Sequence, residues 1–217
     1  MFAGDTNLDE KDLLLHRNLN RWVAIKWRGD LFPPPKGVPY GTHIASFLHC
    51  EPGNQIHGVN VCWLIESSVG IFHRSCEPFQ GIEATWLFRY DTLKQFSISE
   101  LSGTDIDALR LSEFSATFSN SIDSTLQAFR SLSHLDQFRH PGFPDDVCAV
   151  YRQAPTLMGD LCQGEQVWVR ISETRSDSEF RGILLNQPVS RLGTKGDSVR
   201  VVYISAANAS VLVCCPL

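Results

Sequence analysis

The sequence has little of several features that would place it in a particular class of proteins. No stretch approaches the run of about 18 apolar residues that a membrane-spanning helix needs. Neither sign of charge forms a run of the kind found in tails or basic arms. The acidic start MFAGDTNLDEKD lacks the basic and apolar regions of a secretion signal. These absences predict a cytoplasmic protein that does not engage a membrane.

Signatures of several enzyme classes are also missing. The chain has no Gly-x-Ser-x-Gly nucleophile elbow, no His-Glu-x-x-His zinc helix and no Gly-rich phosphate loop ending in Lys-Ser or Lys-Thr. We therefore predict no catalytic residue and no cofactor, and the sequence leans against an enzyme without excluding one.

The composition is that of a chain with a buried core. The 217 residues, 43% hydrophobic and 20% charged, allow one large domain or two small ones. The formal net charge is −5. A nucleic-acid partner is therefore not expected, because binding phosphates requires a concentrated basic face.

Histidine and cysteine residues concentrate in one region and leave an alternative open. Only His73-x-x-Cys76 has a short ligand spacing, and His43 and His49 on one face of a predicted strand could approach His73 across a sheet. Because the paired spacings of structural zinc sites are absent, we predict no metal. The alternative is a metal-binding protein or a hydrolase, for example with Cys76 and His73 or His57 as nucleophile and base. It would be centred on His43, His49, Cys50, His57, Cys62, His73 and Cys76.

The first 157 residues predict an α+β domain. Helical patterns cover residues 7–20, 104–111 and about 121–138, the last from the spacing of Ile122, Leu126, Phe129 and Leu132. Strand patterns are WVAIKW, HIASFLH, a hairpin VNVCWLIESSVGIFHR turning at Ser67-Ser68, and EATWLFRYD. The segment from His140 to Pro144 should end the last helix, and we predict a loop from there through Pro155.

Residues 158–217 predict a small β module that begins after a boundary near residue 157. The strands are QVWVRISET, EFRGILLNQ, SVRVVYISA and ASVLVCC. The turn residues between them suit a small, strongly curved sheet, closed as an SH3-like barrel. We assign structural turn roles to Gly182, Asn186, Pro188, Gly196 and Asp197.

This module resembles a known family. The order Glu165-x-Val-Trp-Val-Arg-Ile, then Phe180-x-Gly-Ile-Leu-Leu-Asn-Gln-Pro, then Gly196-Asp-Ser-Val-Arg-Val-Val-Tyr-Ile is similar to the YegJ-like bacterial domain of unknown function. The resemblance covers about residues 164–204. It implies a β-rich module of a kind associated with immunity or accessory proteins of toxin systems. Relatives continue into an acidic residue and a tryptophan, whereas this chain continues Ser205-Ala206-Ala207-Asn208.

Charge is uneven along the chain. Residues 91–123 hold six acids against two bases, whereas acids and bases balance in residues 158–217. An acidic surface can attract and occlude a basic partner. We therefore predict a non-enzymatic protein-binding module, acting as an immunity-type protein on a toxin or another basic partner. The predicted partner-binding residues are Asp91, Glu100, Asp105, Asp107, Glu113 and Asp123.

Overall fold

The computed structural model describes residues 8–29, 41–79, 87–114, 123–152, 164–189, 193–207 and 209–217. Strands (46%) outnumber helices (20%), so the protein is mainly β with helices added. The chain forms two compact units. The sheet unit comprises residues 14–51 and 55–122, and the barrel unit comprises residues 1–13, 52–54 and 123–217.

The sheet unit is built on six antiparallel strands. They are ordered β4-β3-β2-β1-β6, and β5 pairs with β3 beside β4. The elements are α1 (Glu10–Arg17), β1 (Trp22–Lys26), β2 (His43–His49), β3 (His57–Glu66), β4 (Phe72–Arg74), β5 (Leu87–Arg89), α2 (Tyr90–Leu93), β6 (Ser97–Glu100) and α3 (Gly103–Ala108).

Both faces of this sheet are buried. Alternate residues of β1 divide between two cores, with Val23 and Ile25 in one and Trp22 and Ala24 in the other. Residues that include Leu15, Phe88 and Leu93 cover the first face, and residues that include Leu101, Leu109 and Leu111 cover the second. This two-sided burial explains why the central strands read as nearly continuous apolar runs.

The barrel unit contains a closed five-stranded β-barrel. Strands β8 to β12 pair antiparallel in chain order, and β12 returns to pair parallel with β8. The elements are α4 (Ser124–Arg130), a 3₁₀ helix (Ser133–Phe138), β7 (Arg139–His140), β8 (Phe143–Tyr151), β9 (Glu165–Ser176), β10 (Glu179–Leu184), β11 (Ser198–Ala206) and β12 (Ala209–Pro216). Phe129 of α4 packs edge-on against Phe180 of β10 in the barrel core.

The loop predicted from His140 to Pro155 is wrong, because residues 143–151 form the central strand β8. Consecutive aspartates such as Asp145 and Asp146 are typical of loops. In the structure Arg130 binds Asp145 and Arg170 binds Asp146, each through two hydrogen bonds. These pairs make the two carboxylates compatible with a buried strand. The predicted domain boundary at residue 157 lies outside the described residues, and β8, which precedes it, belongs to the barrel.

The helix predicted to run to Phe138 is interrupted, because α4 ends at Arg130 and a separate 3₁₀ helix follows. The buried Arg139 guanidinium donates to the carbonyls of Phe129 and Leu132 and lies 4.3 Å from the centre of the Phe129 ring. Both carbonyls thus accept a hydrogen bond from a side chain beyond the helix, so a further helical turn is not needed to supply donors and the helix can end.

The predicted turn residues have structural contacts, although one of them lies within a strand. The Asn186 side-chain oxygen accepts from the Trp168 backbone N–H at 2.6 Å, and Asp197 accepts from the Thr194 N–H at 2.7 Å. Gly196 has a φ of +97°, which favours glycine. Gly182 lies in β10 beside a bulge, where a Cβ would approach the Arg170 carbonyl oxygen to 2.5 Å. Pro188 follows the end of β10 and belongs to no strand.

Across the part of the chain that the structure describes, none of the helices has both the length and the apolar character required to cross a bilayer.

The bond from Trp168 to Asn186 is open to a direct test. Asn186→Ala leaves the Trp168 N–H without its acceptor and should lower the free energy of unfolding by about 1–3 kcal/mol. Urea denaturation measures this as a lower midpoint at unchanged slope. Asn186→Asp retains an acceptor and should lose less, so equal losses in the two variants would contradict the proposed role.

Candidate functional site

Three of the predicted partner-binding acids of the sheet unit have local partners. Glu100 forms an ion pair with Arg21 at 2.5 Å, and Glu113 forms one with Arg110 at 2.5 Å. Asp105 caps α3 in a reciprocal capping box with Ser102. Pairs exposed to this degree contribute little to stability and remain accessible to a partner.

The other two acids of the sheet unit are unengaged. Asp91 lies in the first turn of α2 and Asp107 lies in α3, and both are exposed. Neither side chain has a hydrogen-bond or ion-pair partner among the described residues. Their charges are therefore the most available for attracting a cation.

Asp123, the sixth predicted acid, belongs to the barrel unit and also takes part in capping a helix. It is the N-cap of α4, where its carboxylate accepts from the backbone N–H groups of Thr125 and Leu126. Hydrogen bonds from the Thr125 hydroxyl and backbone lower the pKa of Asp123 below its ordinary value. The structure therefore gives Asp123 a helix-capping function and groups the remaining five acids in the sheet unit.

The hairpin between β3 and β4 exposes apolar side chains. Ile65 is 47% exposed, Val69 76% and Ile71 51%. We call these three residues the hairpin patch. The turn is held by Ser67, which bonds the backbone of Ile71 through both its N–H and its hydroxyl oxygen. The apolar side chains therefore project from an ordered turn.

The hairpin is joined to the region of α3. The Arg74 guanidinium on β4 donates to the Leu109 carbonyl just after α3. Phe72 of β4 and Ile106 of α3 pack against the same buried cluster. The α3 region therefore packs on the face of the hairpin that carries Phe72 and Arg74, whereas Ile65 pairs with His73 on the other face.

The histidines and cysteines between residues 43 and 76 do not converge. His43 and His49 occupy opposite ends of β2, and His73 on β4 pairs with Ile65. His49 lies beside His57, with ring centres 5.4 Å apart. Within the described residues, which include all seven of these side chains, no three or more metal-binding groups come together.

The cysteines of this region have the surroundings of structural thiols. Burial raises the pKa of Cys62 to about 12, so its thiol is neutral at physiological pH. Cys76 is partly buried, and none of the hydrogen bonds in the described part of the chain joins it to His73 or His57. The Cys76 nucleophile considered from the sequence therefore has no adjacent base here.

A different constellation lies at the start of β2. The Thr42 hydroxyl is 2.9 Å from Nδ1 of His43, and Nε2 of His43 is 3.6 Å from Oε2 of Glu66. The Thr42 oxygen also accepts from the Glu66 backbone N–H at 3.3 Å. Burial lowers the pKa of His43, while Glu66 acts to raise it and Lys26 to lower it.

The sequence predicted the hairpin but not the exposure of its apolar side chains. That exposure could have been predicted from Val69 and Ile71, which lie beside a turn where polar residues are usual. Thr42 carried no signal, since its contact with Glu66 depends on the pairing of β2 with β3.

Comparison of the chain with protein-family models, curated proteins and solved structures gives no match. The resemblance of residues 164–204 to the YegJ-like domain therefore remains a prediction.

The capping role of Asp123 predicts a pH-dependent effect. Asp123→Ala should lower the free energy of unfolding by about 1 kcal/mol at pH 7. Because folding lowers the pKa of Asp123, the ionised cap contributes above the ordinary pKa of 3.8 and its contribution is lost as pH falls below that value. Urea midpoints of the variant and the wild type should therefore converge in acid.

Asp107→Ala is the matched control, because it removes an exposed acid that contacts no side chain in the part of the chain that the structure describes. It should leave the midpoint unchanged at both pH values. An equal loss in the two variants would contradict the assignment of Asp123 as a cap.

Proposed function

We propose that this protein acts by binding another protein through the hairpin patch, with the acids of α3 in the same unit guiding its approach. The observation that carries the proposal is the exposure of Ile65, Val69 and Ile71 on one ordered hairpin. Contiguous apolar side chains on a surface favour contact with a partner over contact with water.

The apolar part would supply affinity. Fully burying an aliphatic side chain of this size contributes about 1.5–3 kcal/mol before the costs of association. Because Ser67 holds the turn in place, little ordering of the backbone is needed on binding. The hairpin patch is therefore suited to be the centre of an interface.

The acids of α3 would select a partner by its charge. Asp107 lies in α3 with no side-chain partner among the described residues, and Asp105 lies in the first turn of that helix. These acids favour approach by a basic surface, and that attraction weakens as salt screens it. The proposed partner is accordingly a basic protein with an apolar contact region.

We further infer that the protein is of the immunity type and occludes a toxin or effector. Support comes from the resemblance of residues 164–204 to YegJ-like modules and from the acids of α3. The same resemblance, together with five closed strands and tight turns at Asn186 and Gly196, supports an SH3-like form of the barrel.

Co-expression tests the proposal. The tagged full-length chain is produced with the products of neighbouring genes, and the proteins retained on the tag are identified and quantified. A double variant, Val69→Asp with Ile71→Asp, should lose at least about tenfold of the retained partner, since each change places a charge in the apolar contact. Retention by the wild type should also fall as salt is raised.

Val189→Asp is the matched control, because Val189 is an 86% exposed apolar residue of the barrel unit. It should retain the partner at the wild-type level. Failure of the wild type to retain any neighbouring product, or equal retention by the hairpin variant, would overturn the proposal.

A further inference from the structure

Thr42, His43 and Glu66 have the arrangement of a hydroxyl, a base and a carboxylate in series. Thr42 is exposed just before β2, His43 begins β2 and is 5% exposed, and Glu66 ends β3. His43 pairs with Leu64, two residues before Glu66, which holds the three residues at one end of the sheet. A nucleophile within hydrogen-bond reach of a base, with a third group beside the base, is the geometry that activates a hydroxyl.

We propose that Thr42, His43 and Glu66 form a hydrolytic site that cleaves small carboxylic esters through an ester on the Thr42 hydroxyl. None of the three residues belongs to the hairpin patch, although Glu66 directly follows Ile65, and the activity neither requires nor excludes the binding function proposed above.

The hydrogen bonds of Thr42 and His43 provide a path for the proton. The Thr42 oxygen accepts from the Glu66 N–H at 3.3 Å and lies 2.9 Å from Nδ1 of His43. In the neutral tautomer with its proton on Nε2, Nδ1 accepts the Thr42 hydroxyl proton. That N–H faces the Glu66 carboxylate at 3.6 Å, which favours this tautomer.

The surroundings keep His43 available as a base. The charged groups along its row of the sheet are Lys26 on β1 and Arg74 on β4, with Glu66 at the end of β3. Phe72 of β4 packs edge-on against the imidazole at 5.2 Å between ring centres. Burial is the largest effect on the pKa of His43 and lowers it, so the ring is neutral at pH 7.

The chemistry balances without any added cofactor. The Thr42 oxygen attacks the ester carbonyl carbon and its proton passes to Nδ1 of His43. The bond from carbon to the leaving oxygen breaks, and His43 returns the proton to the departing alcohol. Water then attacks the Thr42 ester by the same route, releasing the carboxylic acid and restoring the hydroxyl. Lys26, which lies within electrostatic range of His43, would favour the negative oxygen of the intermediate.

The substrate class follows from the nucleophile. A threonine oxygen stands on a branched carbon, so a small acyl group is required for close approach. Esters with a good leaving group are favoured over amides, because they need less help in expelling that group. The probe is therefore 4-nitrophenyl acetate.

The full-length chain is assayed with this ester at pH 7 and the acylated residue is identified by mass spectrometry after an acid quench. The wild type should hydrolyse the ester and carry the acyl group on Thr42. Thr42→Val should abolish both, whereas Thr42→Ser should restore both. His43→Gln should slow the reaction by about 100-fold or more, the usual range for loss of a general base.

Glu66 is a positioning residue, and its test is the pH profile. Activity should rise with pH as His43 loses its proton. Because Glu66 raises the pKa of His43, Glu66→Gln should move this rise to lower pH as well as slow the reaction. A purely structural role would slow the reaction without moving the profile.

His73→Gln is the matched control, since His73 is exposed on β4 and outside the proposed site. It should retain wild-type activity, and unchanged thermal unfolding should show that Thr42→Val is folded. No hydrolysis by the wild type, acylation at another residue, or full activity in Thr42→Val would overturn the proposal.

Discussion

The barrel unit depends on β8, the strand that both closes the barrel and carries two buried carboxylates. Its end pairs with β12 at Val150 and Tyr151, and the Arg152 N–H extends that contact to the Cys214 carbonyl at 2.8 Å. Closure removes the open edges that a short sheet would otherwise expose. Asp145 is buried against Arg130 of α4, so the same strand attaches the helix that covers the barrel core. Removing one member of such a pair leaves a buried charge and costs about 3–5 kcal/mol, which makes β8 the element whose loss the barrel could least tolerate.

The sheet unit obeys a different constraint, because both of its faces must be covered. Helical and loop residues cover the central strands on each side, but the hairpin of β3 and β4 carries Val69 and Ile71 at its turn, where they stay exposed. An apolar turn would be a liability on a surface with no function, since it promotes association. In the proposed function, the acids of α3 would limit unselective association by repelling other acidic proteins and so favour a basic partner.

Local patterns predicted most strands, and the failures have a common physical origin. The strands predicted from WVAIKW, HIASFLH and QVWVRISET are confirmed as β1, β2 and β9; burial alternates in β9, whereas β1 and β2 are buried on both faces. Residues 143–151 looked like a loop because the arginines that neutralise Asp145 and Asp146 are 15 and 24 residues away. Arg139 ended a helix that the apolar spacing continued, through bonds to the carbonyls of Phe129 and Leu132. In each case the deciding partner lies outside the window that a pattern covers. The YegJ-like identity of the last strands stays a prediction.

The two ends of β2 show why residue type alone does not define a site. His43 and His49 are both buried histidines of one strand. At one end His49 faces the imidazole of His57 and the Asn20 carboxamide, and neither group is a hydroxyl or a carboxylate. At the other end His43 lies between a hydroxyl and a carboxylate because Glu66 is the last residue of the paired strand. A β-bulge between Ala45 and Ser46 separates these ends and shifts the register of β3 between them. The position of that bulge therefore decides which side chains meet each histidine, and a change of one residue in register would exchange Glu66 for a side chain of the opposite face.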